Sequence, residues 1–281
     1  MLIDGRALVL GGGGVTGVAW EIGLLHGLAR HGVDLSAADT VIGTSAGAAV
    51  AAQLTGSTAL ADIYAAQINA QPGEIPARLG AGALVRLLVA SAWPGDRRLG
   101  RAWLGRAALR AETMPEAERR AVIERRVPDR RWPDRRLLVT AVDTETGTDV
   151  VFDADSGVPL IDAVAASCAV PLVWPPVTID GRRYMDGGVR SVANVDLAAG
   201  HGRVVVVAPT TSALRRCDRP QTQAAALGVP HVVVTPDAEA RAAIGTNVFD
   251  PARRPAAALA GLVQAASIAD RVRTVWSGTQ A

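Results

Sequence analysis

The sequence predicts an α/β fold in which a mostly parallel central sheet carries helices on both faces. Short apolar runs alternate along the chain with longer segments whose apolar residues recur at helical spacing, and this alternation is typical of parallel sheets. Two of the apolar runs end in glycine-rich turns that lead directly into helices. The chain has 281 residues, of which 49% are hydrophobic, so it can bury a substantial core.

The predicted strands are short runs rich in valine, leucine and isoleucine. They lie near residues 6–10, 39–42, 136–142, 149–153, 203–208 and 230–235. The predicted helices follow from apolar positions at helical spacing, and in the first of them Trp20, Leu24 and Leu28 share one face. These helices lie near residues 17–31, 45–54, 58–70, 114–126, 159–166, 220–227, 237–244 and 255–276.

Residues 71–113 interrupt the alternation of strands and helices. A strongly apolar helix is predicted over residues 81–93, the Pro94–Gly95 pair ends it, and a second helix follows over residues 99–109. We therefore expect residues 1–281 to form a single domain with a helical excursion around residues 71–113. This excursion is a candidate lid over an apolar pocket, although an apolar helix is also typical of plain core packing or of a subunit interface.

Composition argues against several classes of function. The formal net charge is +2, which does not create the strong positive field of a nucleic-acid-binding protein, so no nucleic-acid partner is expected. The arginine-rich segment 125–136 also contains acidic residues and prolines, which favours a solvated loop. The two cysteines, Cys168 and Cys217, do not indicate a disulfide framework. No spacing of His, Cys, Asp or Glu resembles a zinc site, so neither a metal nor another cofactor is predicted.

The start of the chain and its hydropathy bear on its location in the cell. The chain passes from Met1 almost directly into a predicted strand, without the regions that make up a signal peptide. No uncharged run reaches the roughly 18 residues expected of a transmembrane helix. The sequence therefore predicts a soluble, cytoplasmic protein.

Residues 43–47 read Gly-Thr-Ser-Ala-Gly, which is a G-x-S-x-G pentapeptide. The apolar run 40–42 precedes it and an alanine-rich segment follows, so the pattern predicts a strand, a sharp turn and a helix with Ser45 at the apex. Such an elbow exposes a strained serine, and its glycines, here Gly43 and Gly47, allow strand and helix to pass closely. Ser45 is the candidate nucleophile, and the alternative is an ordinary Gly-Ser turn into a helix.

The glycine-rich segment Gly11–Gly17 connects the first predicted strand to the first predicted helix. Glycine N–H groups can converge on an anion, and two kinds of ligand fit this property. In an oxyanion loop they would point at an acyl oxygen near Ser45. In a dinucleotide cradle the G-x-G-x-x-G spacing would bind a phosphate, with Asp34 or Asp39 in place for a ribose. A flexible turn is the third interpretation.

The segment Asp186–Gly188 offers a carboxylate at a turn. An Asp-Gly pair alone is more often a hairpin turn, but beside Ser45 this carboxylate is a candidate base. His201 is a rival base, because Ser45, Asp186 and His201 follow the order of an α/β-hydrolase triad. However, His201 precedes its predicted strand, whereas the histidine of such a triad normally follows one.

These three segments, in this order, resemble the patatin-like phospholipase family, whose pattern is G-G-G-x-[KR]-G, then G-x-S-x-G, then D-G-[GA]. The matching segments are residues 12–17, 43–47 and 186–188. Two further segments are similar to bacterial members of the family, residues 141–147 and 166–171. The resemblance covers roughly residues 5–205.

The resemblance implies a three-layer α/β/α fold and a Ser–Asp dyad in place of a Ser–His–Asp triad. Ser45 would attack an ester carbonyl, and Asp186 would accept its proton directly. The backbone N–H groups of Gly13 and Gly14, in a loop shaped by Gly12, would stabilise the oxyanion. A carboxylate is a weak base, so this dyad needs a desolvated aspartate with a raised pKa or a strongly polarised serine.

By the same resemblance, the substrate is a lipid acyl ester, as in a phospholipase A or a lysophospholipase, with transient contact with a membrane surface and no cofactor. One departure is Thr16, which stands where the family usually has arginine or lysine, and this leaves the headgroup preference open. Two alternatives remain. One is a carboxylesterase or thioesterase acting on small acyl groups, and the other is a non-catalytic module that binds phosphate or a nucleotide through Gly11–Gly17.

Overall fold

Residues 3–69, 73–211 and 213–278 are described in the structure, which is a computed structural model. Within these ranges eight strands form one sheet. They are β1 (Ile3–Leu10), β2 (Thr40–Gly43), β3 (Arg136–Asp143), β4 (Asp149–Phe152), β5 (Val177–Ile179), β6 (Arg182–Asp186), β7 (His201–Val207) and β8 (His231–Val234). The helices are α1 (Gly14–Arg30), α2 (Ala46–Leu54), α3 (Leu60–Ile68), α4 (Ala81–Ala92), α5 (Arg97–Leu109), α6 (Glu116–Arg126), α7 (Leu160–Ser167), α8 (Pro220–Ala226), α9 (Ala238–Ile244) and α10 (Arg254–Ser277).

The sheet is mostly parallel. Its strand order over the described ranges is β5-β6-β3-β2-β1-β7-β8, and β4 also pairs with β3. The pairs that join β3, β2, β1, β7 and β8 are parallel, whereas β4 and β6 pair antiparallel with β3, and β5 pairs antiparallel with β6. The predicted α/β class and mostly parallel sheet are confirmed, with an antiparallel edge in addition.

The β5–β6 hairpin at this edge is not predicted from the sequence. Both strands are short, and β6 begins with two arginines in place of an apolar run. The turn uses Asp180 and Gly181, with φ of 49° and 76°, the left-handed conformation that Asp-Gly pairs adopt in hairpins. The hairpin places Asp186, the candidate base, at the end of β6.

Alternate residues of the central strands belong to two separate cores, because successive side chains in a strand point to opposite faces. On one face Leu8 and Leu10 of β1 pack with apolar residues of α1, α2, α7 and α10. On the other face Ala7 and Val9 pack with α8 and with the 3₁₀ turn Val195–Ala198. Helical segments cover both faces, as predicted, but the first layer is much thicker than the second.

The register of the sheet determines which residues meet at its carboxyl edge. Gly43 of β2 pairs with Val139 of β3. Ser45, two residues beyond Gly43, is therefore level with Ala141, and Ala141 pairs with Asp186 on the antiparallel strand β6. The register thus brings the serine and the aspartate together at the edge where open α/β sheets bind their ligands.

Helices α4 and α5 form the excursion between α3 and α6. Gly105 of α5 lies so close to the β3–β4 turn that a Cβ atom there would be 2.0 Å from the Thr144 carbonyl oxygen, and Arg101 forms an ion pair with Asp149 at 3.6 Å. Helix α4 presents four aliphatic side chains to solvent, each at least 42% exposed: Leu84, Val85, Leu88 and Val89. No helix in the described ranges combines the length and the apolar character needed to cross a bilayer.

Candidate active site

Ser45 occupies the turn between β2 and α2. Its backbone has φ 54° and ψ −117°, a conformation that costs a non-glycine residue on the order of 1–3 kcal/mol and that fits a nucleophile elbow. Two glycines permit this turn. A Cβ atom at Gly43 would lie 2.5 Å from Ala48 Cα, and one at Gly47 would lie 2.1 Å from the Leu10 carbonyl oxygen. Helix α2 therefore begins directly behind Ser45 and is packed tightly against β1 and β2.

The end of α7 holds the Ser45 backbone in place. The Ser45 N–H donates to Ser167 Oγ at 2.9 Å, and the Cys168 thiol donates to the Ser45 carbonyl oxygen at 3.2 Å. Burial raises the pKa of the Cys168 thiol to about 12, so this group stays protonated and is not a rival nucleophile. Both contacts fix the elbow through the main chain and do not engage the Ser45 hydroxyl.

The loop after β1 lies beside Ser45. A Cβ atom at Gly12 would be 4.0 Å from Ser45 Oγ, and the Gly12 N–H donates to the Val192 carbonyl oxygen at 2.8 Å. The N–H groups of Gly13 and Gly14, at the start of α1, have no acceptor within the part of the chain that the structure describes. Together with the positive end of the α1 dipole, these two donors can bind an anion next to the serine.

A buried glutamate, Glu21, is hydrogen-bonded to the glycine loop. Glu21 Oε1 accepts a hydrogen bond from the Gly11 N–H at 3.1 Å, while Oε2 is buried without a partner among the described residues. Burial raises the pKa of Glu21 well above its ordinary value, and the hydrogen bond from Gly11 only partly opposes this. The raised pKa favours the neutral acid, which holds the loop without placing a full negative charge beside it.

Asp186 is the second buried acid of the site. Burial raises its pKa from an ordinary value of 3.8 to about 7, and hydrogen bonds from Ser45 and Gly188 and the charge of Arg119 oppose this rise. The Gly188 N–H donates to Oδ1 at 2.7 Å. Oδ2 is buried without a hydrogen-bond partner among the described residues, although the Ser45 hydroxyl interacts with this carboxyl closely enough to lower its pKa. Catalytic hydrogen bonds of this kind often tighten only when substrate binds.

A buried polar network ties the loop after Asp186 to the end of β2. The Asn194 side-chain N–H₂ donates to Thr44 Oγ1 at 3.0 Å and to the Ser191 carbonyl oxygen at 2.9 Å. On β3, Thr140 Oγ1 donates to Thr44 Oγ1 at 3.0 Å. Asn194 has φ 50°, which asparagine tolerates better than most residues. The network joins the three segments that carry or adjoin the serine and the aspartate, and so fixes their relative position.

Ser45 lines a small cavity, and a larger cavity adjoins it. The smaller, of about 20 Å³, has Ser45, Trp174 and Phe249 among its walls. The larger, of about 390 Å³, shares Val15 and Arg126 with it, and its size falls in the range of about 300–1,000 Å³ that is usual for small-molecule sites. The aliphatic wall of the larger cavity consists of Val15, Val18, Ile63, Ala66, Val122 and Pro128.

The larger cavity also has a charged wall. Glu74 forms an ion pair with Arg126 at 2.5 Å and lies 4.0 Å from an Arg254 nitrogen. Burial alone would raise the pKa of Glu74, but hydrogen bonds and charge from Arg126, with the charges of Arg254 and Arg119, bring it below its ordinary value. Glu74 is therefore ionised, and its negative charge is shared between Arg126 and Arg254.

Three residues around Ser45 and Asp186 are not predicted from the sequence: Arg119, Ser167 and Asn194. Arg119 leaves a signal, because it shares the buried side of α6 with Val122 and Ile123. That is the i, i+3, i+4 spacing of an apolar stripe, in which a charged residue is out of pattern. Ser167 and Asn194 leave no such signal, because their contacts are distant in the sequence. Ser167 contacts Ser45, which is 122 positions away, and Asn194 contacts Thr44, which is 150 positions away.

The structure places the rival groups away from Ser45. His201 begins β7, where its Nε2 lies 2.9 Å from Thr40 Oγ1. Thr40 begins β2 and Ser45 follows its end, about 15 Å further along the strand direction. Asp34 caps a 3₁₀ turn, and Asp39 is ion-paired just before β2, so neither adjoins the glycine loop. Among the described residues no group of three His, Cys, Asp or Glu side chains could hold a metal ion.

Comparison with known proteins adds to this geometry. A profile of the family described as patatin-like phospholipase matches residues 8–199, which is more than half of the chain and includes all three motifs. Among solved structures, VipD from Legionella pneumophila is 13% identical, with 96% of this chain and 67% of that chain covered and a TM-score of 0.49. The type III effector protein ExoU is 16% identical, with 96% of this chain and 53% of that chain covered and a TM-score of 0.42. The chain belongs to the patatin-like phospholipase family.

Proposed function

We propose that this chain is a serine acyl hydrolase that cleaves lipid acyl esters, with Ser45 as the nucleophile and Asp186 as the general base. The observation that carries the proposal is the pairing of a serine in a strained elbow with a buried carboxyl whose pKa is raised to about 7. A base with a pKa near the operating pH combines basicity with a substantial ionised fraction. The family match supports a lipid substrate.

In the proposed acylation step, ionised Asp186 accepts the proton of Ser45 as Oγ attacks the ester carbonyl carbon. The N–H groups of Gly13 and Gly14 and the α1 dipole stabilise the negative charge that forms on the carbonyl oxygen. The bond to the alcohol oxygen then breaks, and Asp186 returns the proton to the leaving alcohol. The acyl group remains on Ser45 as an ester.

In the proposed deacylation step, water takes the place of the alcohol. Asp186 accepts a proton from this water as its oxygen attacks the acyl-enzyme carbonyl, and the same N–H groups stabilise the second oxyanion. The proton returns to Ser45 Oγ as the fatty acid leaves. Both steps use only side chains and main-chain groups of this chain.

The cavity of about 390 Å³ is suited to the acyl chain. Its wall is aliphatic over much of its extent, and it adjoins the smaller cavity at Ser45. Burying a methylene group from water contributes about 0.8 kcal/mol, so a longer acyl chain gains affinity for as long as the cavity accommodates it. This observation favours a lipid ester over the small acyl groups of the alternative carboxylesterase or thioesterase.

The acyl-chain assignment predicts how rate depends on chain length. Hydrolysis of p-nitrophenyl esters from C2 to C16 is expected to reach its highest kcat/KM at a medium or long chain. A fluorophosphonate probe is expected to label Ser45 in the same preparation. An optimum at C2 to C4 would favour the small-acyl esterase, and saturable nucleotide binding without labelling would favour the non-catalytic module.

We also propose that α4 makes transient contact with a lipid surface. Its exposed aliphatic side chains, at positions 84, 85, 88 and 89, form one stripe on the helix. Inserting such a stripe into the headgroup region is favourable, and exposed Arg86 adds attraction to anionic lipid. A cavity of about 150 Å³ separates α4 from residues 188–192, the loop that follows Asp186. A membrane that meets α4 is therefore close to the dyad.

Replacing both Leu84 and Val85 by glutamine is expected to weaken cosedimentation with phosphatidylglycerol vesicles about tenfold or more, because two aliphatic side chains no longer leave water. Hydrolysis of vesicle lipid should fall further than hydrolysis of a soluble ester. The matched control replaces Leu259 and Val263 of α10 by glutamine, since these are equally exposed aliphatic residues on another helix. Equal losses in the two double variants, or none in the first, would contradict the role of α4.

A further inference from the structure

Arg119 is a buried cation in the wall of the Ser45 cavity. It projects from α6, is only 5% exposed, and lines the cavity of about 20 Å³ together with Ser45. Its guanidinium carbon lies 3.9 Å from the centre of the Trp174 ring, a cation–π contact that orients the group. The chain thus holds a fixed positive charge next to its candidate nucleophile.

The guanidinium of Arg119 has no hydrogen-bond or ion-pair partner in the ranges that the structure describes, and its Nε and Nη1 are buried. Burial lowers the pKa of Arg119 to about 10, which leaves it protonated at neutral pH. Buried charges are normally paired, because an unpaired charge loses its hydration without compensation. The three N–H donors on Nε and Nη1 are buried and lack an acceptor, which indicates that a ligand supplies one.

The acids near Arg119, Glu74 and Asp186, favour its charged form through space, but neither forms an ion pair with it in the described ranges. Glu74 is ion-paired with Arg126 and lies close to Arg254, so this one carboxylate already serves two other guanidinium groups. Asp186, with its pKa raised to about 7, is only partly ionised at neutral pH. A surplus of positive charge therefore remains at the Ser45 cavity.

The position of Arg119 indicates which part of an ester it faces. Arg119 lines the small cavity at Ser45 and not the larger aliphatic one. With the acyl chain in the larger cavity, the group beside Arg119 belongs to the alcohol part of the ester. The small cavity has room for little more than one water-sized group, so a headgroup must widen it on entry. The glycine loop offers no cation of its own, because Thr16 stands there and its hydroxyl donates to the Val248 carbonyl oxygen at 3.4 Å.

We propose that Arg119 binds an anionic group, a phosphate or a carboxylate, on the alcohol part of the ester, so that this chain prefers anionic acyl esters to neutral ones. The inference rests on the proposed hydrolase function. By this inference an arginine of α6 recognises the anion. The glycine loop does not, because this chain has no cation there.

Three esters with the same C12 acyl chain test the proposal: 1-dodecanoylglycerol 3-phosphate, dodecanoyl lactate and neutral 1-dodecanoylglycerol. Fatty acid release is measured for wild type, Arg119→Gln and Arg119→Lys. Wild type is expected to show at least tenfold higher kcat/KM on one of the anionic esters than on the neutral ester. The better anionic ester identifies phosphate or carboxylate. Arg119→Gln should lower this preference at least tenfold, mainly through KM, and Arg119→Lys should restore part of it.

Arg120→Gln is the matched control, because Arg120 is the next residue of α6 but pairs with Asp162 and Glu124 outside the cavity. Its preference should equal that of wild type. A wild type without preference for either anionic ester, or an Arg119→Gln variant that keeps the preference, would overturn the inference. If Arg119→Gln shifts the pH profile and slows all three esters equally, Arg119 acts only by lowering the pKa of Asp186, and this result also overturns the inference.

Fluorophosphonate labelling of Ser45 in every variant separates this inference from the proposed function. Labelling with hydrolysis but without anion preference refutes the role of Arg119 alone, whereas a folded wild type that neither reacts with the probe nor hydrolyses any ester refutes both. If Arg119→Gln does not fold, the preference of wild type and that of Arg119→Lys still test the inference, because lysine retains the positive charge. Lysine should then keep part of the preference, and a total loss with lysine counts against simple charge recognition.

Discussion

Ser45→Ala is expected to lower kcat for ester hydrolysis at least about 10⁴-fold, the scale of loss when a serine hydrolase lacks its nucleophile. Alanine removes the oxygen that would carry the acyl group. Ser167 cannot replace it, because its Oγ accepts the Ser45 N–H from behind the elbow. The variant should fold, since alanine at this backbone conformation meets much the same strain as serine. Parallel p-nitrophenyl ester assays and circular dichroism of both proteins measure these two expectations.

Ser57→Ala and His201→Ala are the controls for this substitution. Ser57 is exposed and bonded to Asp129, so its loss should leave the rate close to that of wild type. His201 lies at the opposite end of β2, where it contacts Thr40, so its loss should lower Tm without stopping hydrolysis. An active Ser45→Ala would refute the proposed nucleophile, and a folded but inactive His201→Ala would favour a triad.

The backbone of the candidate site could be predicted because it is encoded locally. In Gly11–Gly17 and again in residues 43–47, a strand, its glycines and the following helix are consecutive in the sequence. Parallel strands end at one edge of a sheet, so two such turns on neighbouring strands must lie side by side. The structure has this arrangement, with the Gly12 backbone next to the Ser45 side chain.

The position of Asp186 relative to Ser45 could not be worked out in the same way. It depends on β6 running antiparallel to β3 with Ala141 opposite Asp186, and nothing in the short, arginine-containing strand indicates that pairing. A shift of one residue would turn the carboxylate to the other face of the sheet. The family resemblance supplied the expectation of a dyad, and the register gives the physical reason why these two side chains can meet.

The buried polar partners of the site were the least predictable feature. Tertiary packing brings Arg119 into the wall of the Ser45 cavity and Asn194 into contact with Thr44, whereas polar residues in a helix or a loop are by default expected on the surface. Arg119 alone breaks a sequence pattern, since it replaces an apolar residue on the inner face of α6. Departures from the expected hydrophobic pattern are often found at functional sites, and this one lies in the wall of the Ser45 cavity.

Asp186→Asn is expected to lower kcat/KM about 10²- to 10⁴-fold at pH 8, which is the usual contribution of a general base. Asparagine keeps an oxygen that can accept the Gly188 N–H, but it cannot take a proton from Ser45. In wild type, kcat/KM should rise with pH around a midpoint near 7, because burial raises the pKa of Asp186 to about 7 and only the ionised form is a base. A wild-type profile that is flat from pH 5 to 9, or a fully active Asp186→Asn, would contradict the assignment.

The same substitution should have the opposite effect on stability. The pKa of Asp186 is higher in the folded protein than its ordinary value of 3.8, so folding takes up a proton. The stability linked to this group is therefore complete below about pH 4 and is lost as pH rises through about 7. Asparagine carries no charge at any of these pH values. Asp186→Asn should accordingly raise Tm relative to wild type at pH 8, and this gain should shrink towards pH 4.

Asp143→Asn provides the comparison of opposite sign. Burial would raise the pKa of Asp143, but hydrogen bonds from Thr146 and the charge of Arg182 bring it below its ordinary value. Its carboxylate thus stabilises the fold at neutral pH and loses that effect as pH falls, so Asp143→Asn should lower Tm at pH 8. Two variants that shift Tm in the same direction would contradict the raised pKa of Asp186. Shifts of Tm in opposite directions would mean that the ionised carboxylate of Asp186 destabilises the fold. A carboxylate that acts as a base is expected to have this property.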